Sequence, residues 1–100
     1  MYLFPEPPFF IEKPDSVSVV KVGDSKVLEC KVAGSPEISV RWFRDGAEID
    51  RSAKHKTSFI NSLAALEISD VSENDSGKYF CEACNEAGIE SCTVEIEVKG

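Results

Sequence analysis

The stretch Asp75-Ser76-Gly77-Lys78-Tyr79-Phe80-Cys81 decides the fold, read together with Cys30 and the single tryptophan, Trp42. A tyrosine stands two positions before a cysteine, and a second cysteine and an indole lie upstream. A two-sheet β-sandwich uses those four parts: a cysteine on each facing sheet, an indole packed beside them, and a tyrosine whose hydroxyl pins a corner to backbone a few residues upstream. Gly77 suits the tight turn of that corner, and Asp75 belongs to the same corner. The pattern specifies an architecture and not a chemistry, because one sandwich hosts many functions.

Outward from that stretch the chain alternates with a period of two. Leu28, Cys30 and Val32 point one way while Glu29 and Lys31 point the other, as in a strand with one buried face. Ile38, Val40 and Trp42 form the next inward set, and Arg44-Asp45-Gly46-Ala47 supplies an Asp-Gly hairpin. Leu66, Ile68 and Val71 resume the pattern, followed by Tyr79, Cys81 and Ala83. After a turn at Asn85-Glu86-Ala87-Gly88 come Cys92, Val94, Ile96 and Val98. An early strand occupies 17–21, and residues 50–62 read as one edge strand with loops. No helical period competes. The expected fold is all-β, a sandwich of two antiparallel sheets with Greek-key connections. Residues 1–7, which include Pro5 and Pro7, read as an extended linker. Residues 8–99 read as one domain.

A hundred residues suffice for one core. A formal net charge of -7 argues against nucleic acid and anionic membrane surfaces, both of which need clustered Lys or Arg. No apolar run approaches the roughly 18 residues of a membrane span, and the N-terminus lacks the basic and apolar regions of a secretory signal. The single histidine, His55, lies in the polar run Lys54-His55-Lys56 and reads as a solvated loop residue. No Ser-His-Asp set or Gly-rich phosphate loop can be assembled. Glu95 and Glu97 alternate with core positions and read as a solvated face. A non-enzymatic module with no cofactor and no metal is expected. Asn74-Asp75-Ser76 fits a glycosylation acceptor, but its overlap with the corner motif favours coincidence.

Three stretches, Trp42-Phe43-Arg44-Asp45-Gly46, Leu66-Glu67-Ile68-Ser69-Asp70-Val71 and the run from Asp75 to Gly88, resemble the intermediate set of immunoglobulin domains. The likeness covers almost the whole chain. The opening, Pro7-Pro8-Phe9-Phe10-Ile11-Glu12-Lys13-Pro14, looks like that of the titin-like domains of giant muscle proteins. The resemblance implies a cytoplasmic, sarcomeric module that bears stretch, a monomeric link whose partners are neighbouring immunoglobulin domains and other sarcomeric proteins. With Val17–Lys21 beside 93–98, load along the strands would shear several ladder bonds together. Two alternatives stand beside that reading. One is an extracellular adhesion domain, and the other is a docking module marked by the outward-phased Phe43 and Phe80.

Cys30 and Cys81 face each other across the sandwich by phase. In a reducing compartment they pack as thiols, like small hydrophobes, and in an oxidising one they bridge; the sequence leaves both open. Folding the last hairpin about Glu86-Ala87 sets Cys92 opposite Cys81, at a Cα separation of about 4.5–5.5 Å that a disulfide can span. Three thiols would then share one core layer. The resemblance implies that a bridge in such a triad can isomerise by thiolate attack. Cys84 falls out of phase, on the outer face, as a thiol open to modification or as an inert one. Zinc at Cys81-Glu82-Ala83-Cys84 is not expected, because strand residues three apart point to opposite faces and no second pair completes four ligands.

Overall fold

Alternation of apolar and polar residues builds nine strands in the computed structural model, which describes residues 4–100. Residues 1–3 of the expected linker lie outside the described residues. The strands are β1 (Phe9–Glu12), β2 (Val17–Lys21), β3 (Lys26–Ala33), β4 (Ser39–Arg44), β5 (Ala47–Glu48), β6 (His55–Ile60), β7 (Leu63–Ile68), β8 (Gly77–Asn85) and β9 (Gly88–Lys99), with a 3-10 turn at Glu73–Asp75. They form two sheets, ordered β1-β3-β7-β6 and β2-β9-β8-β4-β5. The sandwich expected from the sequence is therefore present.

Pairing between the described strands is antiparallel with one exception. β2 runs parallel to β9, from Val17 opposite Glu95 to Lys21 opposite Lys99. The reason lies in how the chain enters the sandwich. β1 pairs with β3 on the first sheet as far as Glu12 opposite Lys31, then the chain crosses to the second sheet without reversing direction. Pro14, which has no N–H to donate to a ladder, sits in that crossing. In β2 the buried side chain is Val20, while Val17 and Val19 face out.

The core joins Leu28, Cys30, Val32, Ala64, Leu66 and Ile68 of one sheet to Trp42, Tyr79, Cys81, Ala83, Cys92, Val94 and Ile96 of the other. Full burial of one Leu, Ile or Val side chain contributes about 1.5–3 kcal/mol. A loop hydrogen bond contributes about 1 kcal/mol net. The alternating faces therefore decide which sheets meet, and the turns adjust to them.

Two turns show that adjustment. Asp45 and Gly46 have φ of 48° and 88°, the two positive values of a type I′ hairpin, which joins β4 to β5. The same Asp45 reaches the start of β8. Its N–H donates to the Lys78 carbonyl at 2.8 Å, and its Oδ1 accepts from the Lys78 N–H at 3.0 Å. Gly77 has φ 151°, and a Cβ there would lie 2.8 Å from Asp45 Oδ2. Only glycine combines that backbone with that approach.

At the other pole the β8–β9 turn catches the start of the chain. Asn85 Nδ2 donates to the Glu6 carbonyl at 2.7 Å and to the Ser35 carbonyl at 3.0 Å. Asn85 Oδ1 accepts from the N–H of Ala87 at 2.8 Å and of Gly88 at 3.1 Å. Buried Ser35 completes the clasp: its Oγ accepts from the Glu6 N–H at 2.7 Å, and its N–H donates to the Glu6 carbonyl at 3.1 Å. Glu6, assigned to the linker by sequence, is thus bound to two loops of the sandwich.

Gly77→Ala is expected to lower unfolding stability by about 1–3 kcal/mol, through the unfavourable φ and the contact with Asp45. Urea denaturation followed by Trp42 fluorescence measures it. An unchanged midpoint would mean that the Asp45 carboxylate swings aside at no cost.

Candidate functional site: three thiols in the core

Trp42, Cys81 and Cys92 form one row across the second sheet, with Trp42 opposite Cys81 on β4 and β8 and Cys81 opposite Cys92 on β8 and β9. Cys30 meets this row from the first sheet, where Ala64 lies beside it. Ala64 is fully buried. The Cys30 thiol donates to the Cys81 sulfur at 3.6 Å. Cys30, Cys81 and Cys92 are 1%, 0% and 8% exposed, so Cys92 is the least enclosed of the three.

Contact and burial favour the protonated form of Cys30 and Cys92. The Cys30 pKa is pushed up to about 12, chiefly by its contact with Cys81 and then by burial, while Cys92 pulls it the other way. Cys92 is also raised, by its contact with Cys30, by burial and by the charge of an ionised Cys30, against a lowering influence of the Lys13 ammonium. At neutral pH Cys30 and Cys92 are therefore thiols, poor as nucleophiles until something opens the core.

Cys84 takes no part. It lies half-buried on the outer face, and its Sγ donates to the Asn85 carbonyl at 3.7 Å. That face also carries Phe43 and Phe80, stacked with ring centroids 4.6 Å apart at 12°. The Arg41 guanidinium sits 5.4 Å from the Phe43 centroid and pairs with Glu82 at 2.9 Å and Glu48 at 3.4 Å. Among the described residues no group of three or more His, Cys, Asp or Glu converges as a metal site.

The corner residues gather into a second cluster. Tyr79, fully buried, donates from its Oη to the Asp75 carbonyl at 2.7 Å, and Leu66 lies fully buried in the core. Asp75 is 3% exposed. Its Oδ2 accepts from the Ser72 N–H at 2.8 Å and the Ser72 Oγ at 3.3 Å. Lys54 Nζ lies 2.8 Å from that same oxygen, and Arg44 Nη1 lies 3.7 Å from Oδ1. Burial opposes the Asp75 charge, but the Lys54 ammonium and the Ser72 bonds outweigh it and hold the carboxyl below its ordinary value.

His55 corrects the sequence reading. It opens β6 half-buried rather than lying in a solvated loop, and its Nε2 is enclosed without a partner. Burial lowers its pKa; Asp75 raises it, and Lys54 and Arg44 lower it. Lys54 and the clasp residues Ser35 and Asn85 escaped sequence analysis as well. Ser72, three residues before Asp75, was the one local signal available for this corner: it makes a capping box with Asp75.

The family model for the immunoglobulin I-set domain matches residues 8–98. The chain belongs to the immunoglobulin I-set. Among solved structures, the I-band fragment I67-I69 from titin is similar with a TM-score of 0.93 and 45% identity, over 95% of this chain and 34% of that one. The smooth-muscle myosin light chain kinase of Gallus gallus is 36% identical over 96 residues, 95% of this chain and 5% of that protein. Neurofascin of Gallus gallus is 39% identical over 84 residues, 84% of this chain and 6% of that protein. The chain thus spans about a twentieth of the curated relatives it matches. In this I-set domain the two cysteines that face each other across the sheets are free thiols. Their separation of 3.6 Å is about 1.5 Å more than a disulfide bond.

Acidification is expected to weaken the domain in two steps. His55 has a folded pKa below its unfolded value, so the unfolded chain binds protons first and stability falls as pH drops below about 6.5. Asp75 is likewise depressed, so its contribution is present above its unfolded pKa and is lost as pH falls below about 4. Lys54→Met is expected to cost about 1.5–3 kcal/mol at pH 7, the range for a hydrogen bond to a charged group, and to shrink the lower step. Urea melts from pH 3 to 8 test both, and a flat profile would refute the assignment.

Proposed function

We propose that this domain is a passive, non-enzymatic link in a tandem immunoglobulin chain of the elastic, sarcomeric kind, and that its core thiols tune how far it can extend. Residues 8–99 are the folded unit, working in the cytoplasm between neighbouring immunoglobulin domains.

The parallel β2–β9 pair carries this reading. The N-terminal end of β2 and the C-terminal end of β9 lie at opposite ends of the pair, whose five register positions run from Val17–Glu95 to Lys21–Lys99. Tension applied through the two termini therefore loads the ladder along its strands. Bonds that cross the strands must then yield together rather than one at a time. The folded body, 51 Å long by 24 and 22 Å, is built lengthwise for such loading. Similarity to a titin I-band fragment supports the tandem setting.

The thiols bear on extension through chain geometry. About ninety residues extend to roughly 300 Å at ~3.4 Å each. A Cys30–Cys81 bridge would withhold about 51 steps (81 − 30), roughly 170 Å. A Cys81–Cys92 bridge would withhold only about 11 steps (92 − 81), roughly 37 Å. Cys30 touches both other thiols, and Cys81 stands opposite Cys92 on the neighbouring strand, so thiolate attack by Cys92 on a Cys30–Cys81 bridge would exchange a long restraint for a short one. A second reading, an extracellular adhesion domain, draws on the similarity to neurofascin; a sugar on Asn74 of secreted protein would favour it.

Stretching a tandem repeat of the domain one molecule at a time, with and without reductant, tests the proposal. The expected result is an unfolding step that shortens by about 170 Å or about 37 Å without reductant. Unfolding at negligible force would overturn the mechanical reading. Steps of one length under every redox condition would overturn the tuning.

A further inference from the structure

An apolar stripe crosses the outer face of the second sheet. Phe43 and Phe80 stand opposite each other on β4 and β8, and Thr93 of β9 stands opposite Phe80. Val17 and Val19 continue the stripe on β2, 49% and 58% exposed, beside Glu95 and Glu97 of β9. β9 runs for 12 residues, so it spans roughly 40 Å of a body 51 Å long. The stripe therefore lies on the flank, clear of the ends at which the chain enters and leaves.

We propose that this flank docks an extended, basic protein segment with cationic side chains at alternate positions, one guanidinium resting over Phe80 and the cations meeting Glu95 and Glu97. Such docking goes beyond the mechanical reading and does not depend on it.

Charge selects the occupant. Arg41 is taken up by Glu82 and Glu48, whereas among the described residues Glu95 and Glu97 have no cation within ion-pair distance. Lys78 stands opposite Glu95, and Lys21 stands opposite Lys99 beyond Glu97, so the seat is bounded by cations at both ends. An open groove of about 650 Å³, whose lining includes Ser76, Gly77, Glu95, Glu97 and Lys99, runs beside the same stretch of β9. The two carboxylates lie two residues apart on one face, about 7 Å, the spacing at which alternate side chains of an extended segment also fall. The net charge of -7 draws a cationic segment at long range and repels a second copy of the chain.

The ring stack shows how the flank holds a guanidinium. Arg41 lies 5.4 Å from the Phe43 centroid while it pairs with the neighbouring carboxylates. Phe80, stacked on Phe43, has no such cation among the described residues. Glu95 is its diagonal neighbour across β8 and β9, within reach of a long side chain. An arginine arriving over Phe80 would repeat the Arg41 arrangement, with a ring beneath the guanidinium and a carboxylate beside it.

The test titrates the folded domain with a short capped peptide of alternating arginine and threonine, read by calorimetry and by backbone amide shifts. The shifts are expected to gather on β2, on Thr93–Glu97 and at Phe80. Glu95→Gln with Glu97→Gln should weaken binding by roughly fivefold or more, the factor that ~1 kcal/mol of charge interaction supplies, with the melting temperature unchanged. Glu12→Gln with Glu29→Gln, an equal change of charge on exposed positions of the first sheet, should leave affinity as it was. A peptide with lysine in place of arginine should bind more weakly, because an ammonium has no flat face to stack on a ring. Absence of binding, shifts scattered over both sheets, or equal losses from the two pairs of substitutions would overturn the docking site. Equal affinity for the lysine peptide would overturn the place over Phe80. The same shifts appearing on raising the protein concentration alone would make the flank a contact between copies and overturn the basic segment as its occupant.

Discussion

The structure depends on one constraint: a single N-terminal segment serves both sheets. Residues 9–12 complete the first sheet, residues 17–21 complete the second, and four residues carry the chain between them. Because the chain does not turn back, its second half lies parallel to β9. From this follow both the loading of that ladder along its length and the flank on which Val17 and Val19 stand beside Glu95 and Glu97. Strength along the axis and a surface along the side have the same origin.

The two ends of the sandwich are closed by different means. At one end, charge does the work: a buried carboxylate gathers two cations and the Ser72 N–H, and the Tyr79 hydroxyl fixes the backbone of the same residue. Lone burial of such a charge would be costly, and removal of a partner exposes that cost. At the other end, neutral amide and hydroxyl groups bind the start of the chain. Between these poles the thiol layer is almost dry.

How much of this was legible depends on the range of the interactions. The strands were, because alternation is local and repeats along the chain. So were the facing cysteines, the indole and the tyrosine corner, whose spacing is a property of the sandwich itself. Cys81 opposite Cys92 could be counted back from a two-residue hairpin. Lys54 was not legible as the partner of Asp75, because the two meet only once the 20 intervening residues have folded into β6, β7 and the turn beyond. His55 looked like a solvated residue because its neighbours are charged, yet Lys56 turns to the exposed side of β6 while His55 is half-buried, and Lys54 lies before the strand and reaches in to Asp75. Glu6, Ser35 and Asn85 are drawn together from three distant stretches, and none of them carries a local pattern.

The clasp at Asn85 has a consequence on a much longer timescale. Both of its amide donors point at carbonyl oxygens, those of Glu6 and Ser35, and asparagine is a chemically perishable residue. Hydrolysis of that one amide would put an anionic oxygen where two donors stood, turning two attractions into two repulsions. The start of the chain would then be held by the two Glu6–Ser35 bonds alone. The grip on the first residues of the chain would therefore weaken with the chemical age of a single side chain.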